Sequence, residues 1–147
     1  MNICDNISVK EIVCPHTYSK YGDNAIRFID KDLIAVLDVV RNKILKCPII
    51  INNGSTLTQR GLRCNICQLV ADKTKNGKLY LSGHNLGKAC DFHCPRYSIA
   101  QIHKLIKENA NLLPCNIRLE SIEDAPTWCH IDVMNYGQKE KVYVFNA

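Results

Sequence analysis

Apolar and polar positions fall into a clear helical rhythm from residue 30 onward. Leu33, Val36, Leu37, Val40, Ile44 and Leu45 recur at the spacing of one helix face. Asp30 stands where an N-cap belongs and Pro48 where a helix cannot continue, so the pattern predicts an amphipathic helix of about four turns. Residues 48–52 are short, apolar and β-branched, as in a buried strand, and Asn53-Gly54-Ser55 supplies turn chemistry after them. Residues 61–70 fit a strand or a helix equally, and 73–78 form a polar loop around the turn dipeptide Asn76-Gly77. Residues 79–82 and 88–93 read as strands flanking a turn at 85–87. Ser98 and Gln101 form a capping box for a second helix, with Ile99, Ile102, Leu105 and Ile106 as its stripe and Pro114 beyond its end. Strands follow at 117–120, 128–133 and 141–145. The first two dozen residues show no sustained period and are expected to wrap the surface. With no internal repeat or low-complexity tract, the pattern predicts one α+β domain over residues 1–147, a small antiparallel sheet with helices packed mainly on one face.

Composition supports a packed domain. At 147 residues and 46% hydrophobic, the chain can bury a core without staples, and its 22% of charged residues is ordinary for a globular protein. The net charge of +5 suits polyanionic surroundings, whether nucleic acid, an anionic membrane surface or the acidic bacterial wall. Lys73, Lys75 and Lys78 are the nearest approach to a basic cluster and read as a solvated loop, so charge does not choose among these partners. No run approaches the roughly 18 to 20 apolar residues of a membrane span. The N-terminus lacks the basic-then-apolar layout of a secretory signal, so the chain is expected to be cytoplasmic when synthesised. The nine cysteines are then expected as reduced thiols, many of them buried as small hydrophobes. Cys64 and Cys67 together with Cys90 and Cys94 form a candidate four-thiol metal site, the basis of a possible nucleic-acid module.

Two segments carry a different chemistry. In the first, His84 and Asp91 flank Gly87, and a turn there folds an imidazole and a carboxylate toward one point. In the second, strand alternation puts Trp128, His130 and Asp132 on one face, and Cys129, Ile131 and Val133 on the core face. If the strands adjoin, His84, Asp91 and His130 converge on the sheet face opposite the core. Two histidines and one carboxylate are a recognised catalytic zinc set, with the fourth position open to water. Taken singly, each of these residues is ordinary.

The run from Ser82 to Asp91 reads Ser-x-His-x-x-Gly-x-Ala-x-Asp. It resembles the signature of the D-alanyl-D-alanine carboxypeptidase and L-alanyl-D-glutamate endopeptidase family, which includes bacteriophage endolysins and shares its zinc-site fold with the hedgehog signalling domain. Trp128, His130 and Asp132 resemble the second signature, an aromatic followed by x-His-x-Asp, and Pro126 matches a branch with proline two before the aromatic. Leu62-Arg63-Cys64 is similar to a Tyr/Leu-Arg-Cys element, and the resemblance spans roughly residues 30 to 135 in matching order. It implies a Zn2+ ion on one sheet face, bound by His84, Asp91 and His130, and hydrolysis of the stem peptides of bacterial peptidoglycan. Arg63, with Arg60 as the alternate, would hold a substrate carboxylate; Ser82 would support the metal or substrate by hydrogen bonding; and Asp132 would hold a ligating ring.

One position departs from that pattern. Many members carry an acid three residues before the last histidine as general base, and here Thr127 stands there. Alternation over 117–120 sends Arg118 and Glu120 to the face of His130, which makes Glu120 the substitute base, ahead of Glu123 and Asp124 in the following loop. Three functions from different classes follow: a phage-type wall peptidase acting after release, a non-catalytic zinc domain that binds wall fragments or a protein, and a cysteine-metal nucleic-acid module. The last leaves the spacing of His84, Asp91 and His130 unexplained, and nucleic acid is not the expected partner. Nothing in the sequence speaks to oligomeric state.

Overall fold

The N-terminal residues, expected on the surface, are core. In the computed structural model, which describes residues 1–147, β1 (Asn2–Cys4) pairs antiparallel with β2 (Ile7–Ser8), and α1 (Val9–Ile12) and α2 (Pro15–Tyr21) follow. Ile7, Val9, Ile12 and Val13 are each at most 1% exposed. Elements of one or two turns are too short to show a repeating stripe, which is why periodicity passes over them. A 3-10 stretch, Gly22–Phe28, leads to Asp30.

Asp30 caps α3 (Lys31–Val39) by accepting from the Asp32 amide at 2.9 Å, and the helix continues without a break as a π-helical stretch, Val40–Leu45. The whole predicted stripe from Leu33 to Leu45 is buried. Asp30 also accepts from Lys88 Nζ, and its amide donates to Gly87 O at 2.9 Å, which ties the helix start to the turn before the sheet. That turn needs glycine: Gly87 has φ +67°, and a Cβ there would sit 1.9 Å from Phe28 O. Asp30→Ala is expected to cost about 1 kcal/mol, from the lost cap and the lost Lys88 partner, measured by urea unfolding. The Lys88 hydrogen bond holds the Asp30 carboxyl below its ordinary value. Its contribution is therefore present at neutral pH and disappears as pH falls through the folded-state value, so the wild-type and Asp30→Ala stabilities converge in acid.

Residues 48–52 form no strand; Ile50 alone bridges to His93, through hydrogen bonds of 2.8 and 3.1 Å. Residues 79–82 form none either, and Leu79 and Leu81 are 87% and 66% exposed. The ambiguous stretch 61–70 is mostly turn and loop with a single bridge at Leu62, and its last three residues begin α4 (Gln68–Lys73). The Ser98–Gln101 capping box opens α5 (Ile99–Glu108), which stops before Pro114 in a short 3-10 turn, Ala110–Leu112.

The main sheet holds β3 (Ala89–Phe92), β4 (Ile117–Glu120), β5 (Cys129–Asp132) and β6 (Val142–Phe145) in the order β3-β5-β4-β6. The first three are antiparallel neighbours, but β6 runs parallel to β4, so the sheet is mixed where an antiparallel one was expected. The cause is topological. Asp132, the last residue of β5, lies across from Arg118 near the start of β4, and β6 enters from that same end on the far side of β4. Cys90, Phe92, Ile117, Leu119, Cys129 and Ile131 are fully buried on one face, in a core shared with the stripes of α3 and α5. The other face carries Asp91, Arg118, Glu120, His130 and Asp132.

Candidate metal centre

Pairing of β3 with β5 sets Asp91 directly across from His130. His84 arrives from the turn before β3, where Ser82 Oγ donates to Asn85 Oδ1 at 2.7 Å and the Asn85 side chain donates to Arg63 O at 3.3 Å. Ser82, expected to support the metal or substrate by hydrogen bonding, bonds within the turn that carries His84 through its hydroxyl on Asn85. His84 is 4% exposed, and its Nδ1 lies 2.9 Å from Gly61 O. A carbonyl only accepts, so Nδ1 carries a hydrogen, and Nε2 lies 3.3 Å from Asp91 Oδ1. Residue 61 must be glycine at this close approach, since a Cβ there would fall 2.0 Å from Ile12 O.

His130 places Nδ1 2.7 Å from Asp91 Oδ1 and Nε2 3.1 Å from Asp132 Oδ2. Each imidazole is thus fixed through one nitrogen and presents the other to Asp91. Donor atoms of His84, Asp91 and His130 all lie within 4.8 Å of one another, so the three residues are placed to hold a metal ion.

The electrostatics favour a cation at this point. Burial resists the charge of Asp91, yet hydrogen bonds from His130 and His84 hold its carboxyl far below the ordinary range. Burial also opposes the His130 charge, but Asp132 and Asp91 outweigh it and raise the imidazole to about 9. A proton on His130 Nδ1 and a metal ion would compete for the same side of Asp91, so metal binding there would release that proton.

Sequence reasoning put Arg118 on this face but gave it no role in the site. Its Nε and Nη2 donate to Asp132 Oδ1 and Oδ2 at 2.9 and 2.8 Å, and the Met134 amide donates to Oδ1 at 2.9 Å. The Phe145 ring meets His130 edge-on at 5.8 Å and lies 4.4 Å from the Arg118 guanidinium. Alternation had put Arg118 on this face; only the β4–β5 register shows that it faces Asp132. That register, continued by one residue, sets Glu120 across from His130. Burial raises the Glu120 carboxyl above its ordinary value; His130 opposes this and Asp91 adds to it. Thr127 is exposed, as are Glu123 and Asp124, and Asp124 accepts from Ser121 Oγ and the Ala147 amide.

Arg63 is neither a surface charge nor a free clamp. Its Nη2 donates to Asp91 Oδ2 at 3.1 Å and its Nε to Gln59 O, with the side chain 12% exposed. The Arg60 guanidinium instead meets His93 Nδ1 at 2.7 Å, and its carbonyl accepts from the Asp91 amide at 2.7 Å. The four-thiol site does not form from the cysteines expected. Cys90 is fully buried in the core, and Cys94 Sγ lies 2.7 Å from Cys47 Sγ. Cys64 and Cys67 gather with Cys14 and His16, a second group placed to hold a metal ion. No helix is long and apolar enough to cross a membrane. Comparison with protein families, with curated proteins and with solved structures finds no match to this chain.

Proposed function

We propose that this chain is a zinc peptidase that hydrolyses stem peptides of bacterial peptidoglycan, as a D,D-carboxypeptidase or endopeptidase of the phage-lysis kind acting on the wall after release. The observation that carries the reading is the convergence of His84 Nε2, Asp91 Oδ1 and His130 Nδ1, inside two motifs that resemble that family in sequence and order. Zinc fits the donor chemistry: two neutral imidazole nitrogens and one carboxylate, with each ring fixed from behind by a carbonyl or a carboxylate. When bound, zinc supplies Lewis acidity that activates water and polarises a peptide carbonyl.

The chain's own residues supply the rest. Glu120, across from His130 and with a raised carboxyl, takes a proton from water and returns it to the leaving amine. Arg63 anchors Asp91 through Nη2, leaving Nη1 as the donor for a substrate carboxylate. Arg118 and Asp132 hold the His130 ring through its Nε2.

Digestion of purified cross-linked peptidoglycan, followed by separation of the released muropeptides, tests this. The zinc-loaded wild type should release new amino groups, and a chelator should stop it. Glu120→Gln should lower kcat by at least about a hundredfold with zinc content unchanged. A fully zinc-loaded wild type that releases nothing would replace this reading with that of a non-catalytic domain that binds wall fragments.

A further inference from the structure

Arg63 stands between two clusters. Its side chain reaches Asp91 in the first, and the next residue, Cys64, belongs to the second. The second joins two segments far apart in sequence, Cys14-x-His16 and Cys64-x-x-Cys67. Cys64 Sγ lies 3.5 Å from His16 Nδ1 and 3.7 Å from Cys67 Sγ, and Cys67 Sγ lies 3.7 Å from the same His16 Nδ1. With Zn–S near 2.3 Å and Zn–N near 2.0 Å, the edges of a tetrahedron are about 3.8 Å between sulfurs and about 3.5 Å from sulfur to nitrogen. The observed separations match those edges. The fourth donor, Cys14 Sγ, lies within 4.8 Å of the other three and 3.1 Å from Thr17 Oγ1.

The backbone around the cluster is held rigidly in register. The Cys14 amide donates to Leu62 O at 3.0 Å, the Leu62 amide to Ile12 O at 2.7 Å, and a turn joins the Cys67 amide to Cys64 O at 3.2 Å. A second observation comes from packing. Cys14 and Cys67 belong to a satellite cluster whose one other buried member is Val70, separate from the main core. Its neighbourhood leaves Ile66, Leu69, Leu79 and Leu81 between 43% and 87% exposed. Cys67 and Val70 are the buried side chains among residues 63–81, so apolar burial contributes little to this segment and a bound ion would add a cross-link to it.

We propose that Cys14, His16, Cys64 and Cys67 bind a second, structural zinc ion. Three thiolates and one imidazole fill all four tetrahedral positions and leave none for water, in contrast with the His84–Asp91–His130 set. Binding releases three thiol protons and leaves the centre with a net charge of −1. The ion staples the start of α2 to the loop that carries Arg63. That loop in turn meets the His84 turn, through the Arg63 amide on His84 O at 3.2 Å and the Asn85 side chain on Arg63 O. The staple thus stiffens one wall of the first site, and it stands whichever reaction that site performs.

The test is cobalt substitution of the full chain, with elemental analysis of the zinc form. Wild type should carry two zinc ions, and the double variant Cys64→Ser/Cys67→Ser one. Cobalt-loaded wild type should show thiolate-to-cobalt charge-transfer bands in the near ultraviolet. Those bands should persist in His130→Ala and Cys115→Ser, weaken in Cys14→Ser and vanish in Cys64→Ser/Cys67→Ser. Wild type that takes up cobalt without thiolate bands, or bands of full intensity in Cys64→Ser/Cys67→Ser, would overturn the proposal. The wild-type spectrum decides the matter even if a cysteine variant fails to fold, and it is independent of whether peptidoglycan is cleaved.

Discussion

His130→Ala should lose one zinc equivalent relative to wild type and bring hydrolysis to background. Three consequences of the geometry act together. The substitution removes the Nδ1 donor that lies 2.7 Å from Asp91 Oδ1, it deprives Asp91 of its closest counter-charge, and it frees the Asp132 oxygen that held Nε2. Loss of a partner behind a ligand costs roughly 10- to 100-fold in metal affinity, so loss of the ligand itself should exceed about a hundredfold. Elemental analysis of protein purified without added metal, followed by titration against a chelator of known affinity, reads both quantities. A companion variant, Asp132→Asn, keeps all three ligands and should fall within that 10- to 100-fold range. The order His130→Ala weaker than Asp132→Asn weaker than wild type is the specific expectation. An identical zinc count and affinity in His130→Ala and wild type would remove the metal site, and the peptidase reading with it.

What the sequence disclosed and what it hid divide along physical lines. The helix after Asp30 was legible because its stripe repeats over four turns and both ends carry stop signals, and the Ser98–Gln101 box marked α5 for a similar reason. The first two elements of each kind escaped notice because one or two turns cannot display a period, although they bury Ile7, Val9 and Ile12. Leu79 and Leu81 alternate with polar residues yet face solvent, so alternation alone misread them as strand. At the site, a glycine turn and strand alternation put His84, Asp91 and His130 on one face only on the condition that the strands adjoin, and it was the family resemblance that singled the three out. Glu120 and Arg118 were placed on that face too, but the partnership of Arg118 with Asp132 depends on inter-strand register, which neither strand encodes by itself. The cysteines show the same limit more sharply. Cys64 and Cys67 meet a histidine 48 and 51 positions away, and no spacing rule points to it. The nearer pair was excluded because β3 turns the Cys90 side chain into the core.

Arg118→Met should destabilise the fold by roughly 3 kcal/mol, the low end of the range for stripping a partner from a buried ion pair. Asp132 is 1% exposed and accepts from Arg118 twice, from His130 and from the Met134 amide. Methionine retains an apolar stem between Tyr136 and Phe145, whose rings lie 4.6 and 4.4 Å from the guanidinium, so the change chiefly removes charge and two hydrogen bonds. The stranded carboxylate then has only the imidazole and one amide to offset its desolvation. Because that imidazole is a metal ligand, zinc affinity should also fall by about 10- to 100-fold. Urea unfolding and chelator titration separate the two effects, and a second substitution identifies the cause. In Arg118→Met/Asp132→Leu the buried charge is gone, so stability should recover most of the loss, as it does when both members of a buried pair become apolar. Zinc affinity should not recover, since nothing then orients the His130 ring through Nε2. A loss below about 1 kcal/mol in Arg118→Met would show that Asp132 does not depend on the guanidinium. Recovery of both quantities in the double variant would show that neither residue positions the ligand.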